Sequence, residues 1–300
     1  MNLKWGLLIV FLLVHLNELA WATQPTTTKE KSVILNLAGK QRMLIEKISR
    51  DVTHIQHEMA SLKMHLNEIE QILNGLKNGD PNLNLVKMEN PDVLKQLSEI
   101  SALWQPFRQN VEMIINSLPL DKTHQVAEQT TPLMNSINAV MNLYEKAFID
   151  SFEPGMTTTL NLAGKQRMLS QQMAKEVQLI LKNVNAEQNR TRLKETRASF
   201  DKILKGLIEG DSELGLPGTQ IESPIYQKLM VVKQVWQSYQ PLLDKIMHAN
   251  DFSDIDQDIN LAESRRISLD LLAHMHQVVN MYEQASGLQL STLRKYMKRD

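Results

Sequence analysis

The stretch LNLAGKQRML at Leu35–Leu44 occurs again, unchanged, at Leu160–Leu169. Ten identical residues that return after 125 positions in a chain of 300 indicate an internal duplication rather than a coincidence. Each copy contains one arginine, Arg42 or Arg167, together with a glutamine and an Ala-Gly pair. A guanidinium beside small residues can form a binding surface on a helix, so the repeated stretch is the first place to look for function.

The composition of the whole chain is typical of a helical protein. The 300 residues include only 11 glycines, 10 prolines and 5% aromatic residues, while helix-favouring Leu, Met, Gln, Lys and Glu are frequent. The net charge of −1 provides no basic surface for nucleic acid or for an anionic membrane. Cysteine is absent, which excludes disulfides and thiol chemistry.

The spacing of the apolar residues predicts long helices. From Ile34 to Leu76 they recur at alternating steps of three and four, which is the pattern of a helix packed in a bundle. We predict one continuous helix of roughly 70 Å here, ended by the turn signal Gly79-Asp80-Pro81. The same pattern predicts a second long helix over Thr157–Ile208.

The prolines set the expected boundaries of the remaining helices in the first half. Pro91, with Asn90 as the helix cap, opens a helix that ends near Leu118. A further helix is expected to stop near Thr130, and Pro132 is expected to start the next one, because proline interrupts a helix interior.

The second half repeats this plan. Ser223-Pro224 opens a helix, and the last helical region is expected from about Ser253 to Tyr296. Its segment NMYEQA at 280–285 echoes NLYEKA at 142–147. Because the echoes stay in order, we predict an all-α protein made of two tandem antiparallel helical-bundle modules, about four helices each, with long first helices.

The N-terminus has the features of a targeting segment. Lys4 precedes a short apolar run, and Ala20-Trp21-Ala22 has the small-x-small pattern of a cleavage site. The apolar run is shorter than the roughly 20 residues that span a bilayer. We therefore predict a cleaved signal peptide and export to a periplasm; the alternative is an uncleaved N-terminal anchor. The expected domains are the signal peptide at 1–22, module 1 at 23–153 and module 2 at 156–300.

On a helical wheel, the motif arginine shares a face with the small residues of its own copy. This face lies next to the apolar seam, the stripe of residues (Ile34, Leu37, Gln41, Leu44 and Ile48) that packs inside the bundle. The small residues of the face would allow a second helix to approach closely. A close neighbour would dehydrate the guanidinium, which then needs an anionic partner. The residues on this face are Ala38, Gly39 and Arg42 in the first copy and Ala163, Gly164 and Arg167 in the second.

If the two motif helices face each other, Arg42 and Arg167 approach across a pseudo-two-fold axis. A small planar oxyanion could then accept hydrogen bonds from both guanidinium groups. The alternative is a solvated or salt-bridged arginine, since Glu46 lies four residues after Arg42. Gln41 and Gln166 lie in the apolar seam, where they would set the helix register or, as a second option, contact a ligand.

The second copy continues the motif as NLAGKQRMLSQ at Asn161–Gln171, which resembles the signature of the PilJ-type sensory module. That module is the N-terminal domain of type IV pili methyl-accepting chemotaxis transducers, and it is similar to the signature helix of NarX-type nitrate sensor kinases. The resemblance implies a periplasmic four-helix bundle that senses nitrate or nitrite. It also implies that the anion lies between two signature helices, held by the motif arginine of each, here Arg42 and Arg167.

Two departures from the family affect what we expect. The first copy reads IEKI at 45–48 after the shared stretch, so Glu46 could oppose an anion there. The second departure is architectural: family receptors carry flanking transmembrane helices and a cytoplasmic output domain, and we expect neither in this sequence. We therefore expect an exported sensory protein that binds nitrate or nitrite and signals through a membrane chemoreceptor or sensor kinase; a homodimer is also compatible. The rival expectation is a helical interaction scaffold without anion binding.

No pattern of catalysis or metal binding is present in the sequence. His54 and His57 could share a helix face but lack a third ligand, and His274 and His276 do not share one. We therefore interpret these histidines as solvated or packing residues. No phosphate-binding loop and no nucleophile motif occur, so we expect neither an enzyme nor a cofactor.

Overall fold

The computed structural model describes residues 27–117, 120–249 and 253–287. Within these ranges the chain forms eight α-helices and no strand beyond two single β-bridges, which confirms the predicted all-α class of two tandem helical modules. The predicted signal peptide lies outside the described residues. The helices are α1 (Thr28–Asp51), α2 (Ile55–Asn78), α3 (Pro91–Ser117), α4 (Leu120–Phe148), α5 (Met156–Leu181), α6 (Ala186–Glu209), α7 (Pro224–His248) and α8 (Asp254–Ser286).

The eight helices form two four-helix bundles that share one hydrophobic core. Helices α1–α4 form one bundle and α5–α8 form the other, and in each bundle helices that follow one another in sequence are in contact. Among the described helices, α1 and α5, the two motif helices, are in extensive contact. They run parallel, because Arg167 bonds Asn36 near the start of α1 and Gln178 bonds Arg50 near its end.

The prediction of one continuous first helix is wrong. Helix α1 ends at Asp51, the chain turns through a 3₁₀ segment at Val52–His54, and α2 runs back antiparallel to α1. The Nζ atom of Lys47 lies 3.2 Å from the hydroxyl of Ser61 across this hairpin. The apolar spacing concealed the turn because both helices bury their stripes in one core, and neither Gly nor Pro marks the reversal.

The second long helix is interrupted in the same way. Helix α5 ends at Leu181, and α6 returns antiparallel, with Gln172 bonded to Thr196 at 3.0 Å. The turn contains Asn183 and Asn185 at φ 54° and 45°. Asparagine is one of the few residues that adopt this left-handed conformation readily, so these two residues were the sequence signal for the break.

The prediction that Pro132 starts a new helix is also wrong, because α4 continues through it from Leu120 to Phe148. The apolar residues that follow Pro132 are buried, and their packing outweighs the roughly 3 kcal/mol that an internal proline costs. The predicted caps are confirmed. The side-chain oxygen of Asn90 accepts the backbone N–H groups of residues 92 and 93, and Ser223 accepts that of Tyr226.

The two bundles repeat one internal packing arrangement. Trp104 in α3 and Trp236 in α7 are both buried, and each donates its indole N–H to a carboxylate of the preceding helix, Glu70 or Asp201. In the described part of the chain, every helix falls short of the combined length and apolar character that crossing a membrane requires.

The motif glutamines differ between the bundles although both are fully buried. Gln166 donates from Nε2 to the backbone carbonyl of Phe200 in α6 at 2.8 Å. Neither polar atom of the Gln41 side chain has a hydrogen-bond partner in the described structure. A buried polar group without a partner costs free energy, so Gln41, with both polar atoms unpartnered, is more costly than Gln166, of which only Oε1 has no partner.

We expect Gln41→Leu to raise the free energy of unfolding by about 1–2 kcal/mol, because it removes an unpaired buried amide at nearly constant volume. The matched variant Gln166→Leu loses a hydrogen bond and should lower the free energy of unfolding by about 1 kcal/mol. Urea titrations followed by circular dichroism measure both. A destabilised Gln41→Leu variant would contradict this assignment.

Candidate functional site

The small residues of the repeated stretch lie where α1 and α5 touch. Ala38 and Ala163 are each 0% exposed, and Gly39 and Gly164 are also buried. Small side chains let two helix backbones approach more closely than larger ones would. The two Ala-Gly pairs therefore form a notch at the centre of the molecule.

Both motif arginines converge on this notch. A methyl group built on Gly39 would lie 3.3 Å from Nη2 of Arg42 and 4.0 Å from Nη2 of Arg167. The same construction on Gly164 gives 3.5 Å and 3.6 Å. Each guanidinium therefore lies beside both glycines, and the two like charges face each other across the pseudo-two-fold axis.

Each motif arginine hydrogen-bonds an asparagine of the other motif helix. Arg42 donates from Nη2 to the backbone carbonyl of Asn161 at 3.1 Å and to its side-chain oxygen at 2.7 Å. Arg167 donates from Nη2 to the backbone carbonyl of Asn36 at 3.2 Å. Asn36 and Asn161 occupy the same position of the repeated stretch, so the two halves of the site are related by the duplication.

The last helix of each bundle supplies a glutamate to these asparagines. Asn36 donates from its side-chain nitrogen to Glu283 of α8 at 2.5 Å. Glu145 of α4 is hydrogen-bonded by Asn161; burial raises the pKa of Glu145, while that hydrogen bond and the charge of Arg42 act to lower it. The two glutamates thus hydrogen-bond the asparagines, while their charges act on Arg42 and Arg167.

The last helices also place one side chain directly against each guanidinium. Arg42 donates from Nη1 to the side-chain oxygen of Asn138 at 3.3 Å, and Nη1 of Arg167 lies 3.3 Å from Nδ1 of His276. Interpreting His276 as a solvated or packing residue missed this contact. The signal was available, because Asn138 and His276 each lie six residues before the tyrosine of the echoed segments NLYEKA and NMYEQA.

His274, two residues before His276, has other partners. His274 contacts Lys228 and Asp270, on the side of α8 away from Arg167. The side chains of His54 and His57 are outside the described residues.

The crossed pattern continues one turn further along α1 and α5. Glu46 accepts a hydrogen bond from Lys175 at 2.5 Å, and Gln171 accepts one from Arg50 at 2.7 Å. The expected alternative in which Glu46 pairs with Arg42 is therefore wrong. Glu46 neutralises a lysine of the opposite helix instead.

The site carries two buried positive charges. Arg42 is 2% exposed and Arg167 is 0% exposed, and neither forms a salt bridge with a carboxylate of the described chain. Burial lowers the pKa of Arg42 to about 10, against the raising effect of Glu145. Burial and then the charge of Arg42 lower the pKa of Arg167 to about 9, against the raising effects of Glu283 and Glu68. Both groups remain charged at neutral pH, and their buried Nε donors have no partner.

The lysines of the two motif copies have different surroundings. Lys40 forms a salt bridge with Glu68 of α2. Burial and then the charge of Arg42 lower the pKa of Lys165, the residue at the same position of the second copy. Gln166, a predicted site residue, bonds α6 rather than the arginines.

The described ranges hold no group of three or more His, Asp or Glu side chains that could bind a metal ion. The two buried guanidinium groups supply positive charge and hydrogen-bond donors, and neither has an acceptor atom.

Comparison with known families gives two matches along the chain. The model described as "Type IV pili methyl-accepting chemotaxis transducer N-term" (PilJ) matches residues 26–130 and 152–259. Each matched region contains one copy of the repeated stretch with its arginine. A search of curated proteins returned no match.

We expect Arg167→Met to raise the free energy of unfolding by about 1–2 kcal/mol in a buffer with only bulky organic anions. The change removes a buried unpaired charge and its repulsion from Arg42. Urea unfolding measures the effect, with the exposed Arg192→Met as the matched control, for which no comparable change is expected. A loss of several kcal/mol in Arg167→Met would mean that the guanidinium is a structural element of the empty site.

Proposed function

We propose, from the premise that this chain belongs to the PilJ family of chemotaxis-transducer sensory domains, that it binds nitrate or nitrite between Arg42 and Arg167. The family is sensory rather than catalytic, and it acts in chemoreceptor-type signalling. The proposal concerns the ligand, the residues that hold it, and the route of the signal.

One observation carries this proposal: two buried guanidinium groups lie together, and neither forms a salt bridge with a carboxylate of the described residues, although the charges of Glu145 and Glu283 act on them. A buried charge without a counter-charge is costly, and a second charge of the same sign increases that cost. A monovalent anion between the two groups would reduce the repulsion. Each charge-assisted hydrogen bond would contribute roughly 1.5–3 kcal/mol.

The dimensions of the notch favour a small ligand. Added methyl groups on Gly39 and Gly164 would lie within 3.3–4.0 Å of the guanidinium nitrogens, so little room exists between the helices. A planar anion of three or four atoms can accept hydrogen bonds from two guanidinium groups in one plane, whereas tetrahedral sulfate is larger and divalent. The unpartnered Nε donors of Arg42 and Arg167 are available for such bonds.

The tandem arrangement supplies both halves of the site from one chain. Family resemblance associates the anion with two signature helices from two subunits, and here α1 and α5 of one chain pack together in parallel. We infer that one polypeptide, with modules at 23–153 and 156–300, is sufficient to bind the anion. A homodimer would then serve signalling rather than ligand binding.

We further infer that the protein is exported to the periplasm by a signal peptide at 1–22 and that a membrane chemoreceptor or sensor kinase reads its state. Ligand entry would pull Arg42 and Arg167 away from the carbonyls of Asn161 and Asn36. Since these bonds join α1 to α5, their replacement by bonds to the anion changes how the two motif helices are held together.

The rival function is an interaction scaffold without a ligand. It is favoured by the fact that both arginines already have hydrogen-bond acceptors on the opposite helix. In that case the role of the motif would be to join α1 to α5 through the hydrogen bonds of Arg42 to Asn161 and of Arg167 to Asn36.

Calorimetry of the mature protein with nitrate, nitrite, chloride and sulfate separates the two functions. We expect nitrate or nitrite to bind, and Arg42→Met or Arg167→Met to weaken binding about 100-fold or more, since each removes charge-assisted bonds. Arg192→Met should bind like the original protein. Normal folding with no heat of binding from any of the four anions would favour the scaffold.

We expect Gly164→Ala to weaken anion binding at least tenfold while leaving the fold intact. The added methyl would lie about 3.5 Å from both guanidinium groups and would occupy the space of the ligand. Alanine is also favoured over glycine inside a helix by up to about 1 kcal/mol, so stability should not fall. Calorimetry and thermal melts measure the two effects, with Gly287→Ala at the end of α8 as the control. Unchanged anion affinity in Gly164→Ala would place the ligand elsewhere.

A further inference from the structure

The two halves of the arginine site differ at one position. Arg42 contacts Asn138 of α4, whereas Arg167 contacts His276 at the corresponding position of α8, each at 3.3 Å. An asparagine amide does not titrate, but an imidazole takes up a proton close to physiological pH. His276 therefore gives one half of the duplicated site a group that can change its charge near physiological pH, where the other half has an amide that cannot.

The contact with Arg167 defines the protonation state of Nδ1 of His276. An arginine guanidinium has only donors, so Nδ1 of His276 must accept the hydrogen bond and cannot carry a proton. The ring is therefore neutral. In agreement, burial and then the charges of Arg167 and Lys40 lower the pKa of His276 to about 4, while Glu68 acts to raise it.

The charged groups around His276 come from three neighbouring helices. Arg167 of α5 touches it, and Lys40 of α1 and Glu68 of α2 act on it as a salt-bridged pair. From α7, Lys228 contacts His274 rather than His276. The charges of Glu283, on the same helix as His276, and of Glu68 also act on Arg167. Arg167 is nevertheless the charged group that contacts the imidazole, and its positive charge opposes a second positive charge on the ring.

We propose that His276 takes up a proton when an anion enters between Arg42 and Arg167, so that the site binds the anion together with a proton. This inference rests on the proposed function. On ligand entry, Arg167 redirects Nη1 from His276 to the anion, which frees Nδ1 of the imidazole. The freed nitrogen takes a proton from the solvent and donates the new N–H group to the anion. No covalent bond forms or breaks other than this N–H bond.

The sign of the pH dependence follows from this exchange. A bound negative charge favours the protonated imidazole, so the pKa of His276 is higher in the complex than in the empty protein. Anion binding is then accompanied by proton uptake at pH values between the two pKa values, and affinity increases there as the pH falls. The slope is at most tenfold per pH unit, because only one of the two halves carries a histidine.

The test is calorimetry with nitrate at pH 5, 6, 7 and 8, in pairs of buffers with different heats of ionisation. Nitrate itself does not titrate in this range, so the buffer dependence reports protons taken up by the protein. We expect uptake of up to one proton per anion and an affinity that rises at least fivefold from pH 7 to pH 5. The variant His276→Asn, which copies Asn138, should bind nitrate with no proton uptake and little pH dependence. The exposed His124→Asn should behave like the original protein.

A second measurement keeps the proposal testable if His276→Asn fails to bind. Histidine-selective NMR of the original protein should give an apparent pKa for His276 at least one unit higher in saturating nitrate than without it. An unchanged pKa, or nitrate binding without proton uptake between pH 5 and 7, would overturn the proposal and leave the proposed function standing. Absence of nitrate binding at every pH would overturn the proposed function as well.

Discussion

The contact between α1 and α5 holds two positive charges out of water, and the organisation of the site depends on it. The Ala-Gly pairs bring the helix backbones together, and the arginines have no route to solvent from that contact. Their hydrogen bonds must then be made within the protein, which the asparagines of the opposite helix provide. The contact is stable because apolar burial around it offsets the cost of the unpaired charges.

Because the two halves of this site belong to one chain, equivalent positions can carry different residues, which is not possible in a symmetric homodimer. In a homodimer every residue at the axis occurs twice, so both halves must change together. Here the equivalent positions have diverged. One crossed pair is Glu46 with Lys175 and the other is Gln171 with Arg50, and Asn138 in one half corresponds to His276 in the other. The arginines themselves are the same in both halves.

Sequence reasoning succeeded where the decisive information was local. The turn at Gly79, the caps at Asn90 and Ser223, and the helical nature of the chain all follow from short-range preferences. The prediction of one continuous first helix missed the turn near Val52, and the prediction of a helix start at Pro132 was wrong because α4 continues through it. An apolar period describes which face is buried, and that face is the same in a straight helix and in a hairpin against one core.

The sequence by itself determined that the protein is all-helical and that it carries one motif twice, because helix propensity and residue identity are properties of neighbouring residues. It also determined which face of the motif helix holds the arginine. Only the tertiary structure decided that the motif helices run parallel in contact, and that Asn138 and His276 meet the two arginines. Those contacts join residues about 100 positions apart, so they arise from how the helices pack rather than from any local pattern.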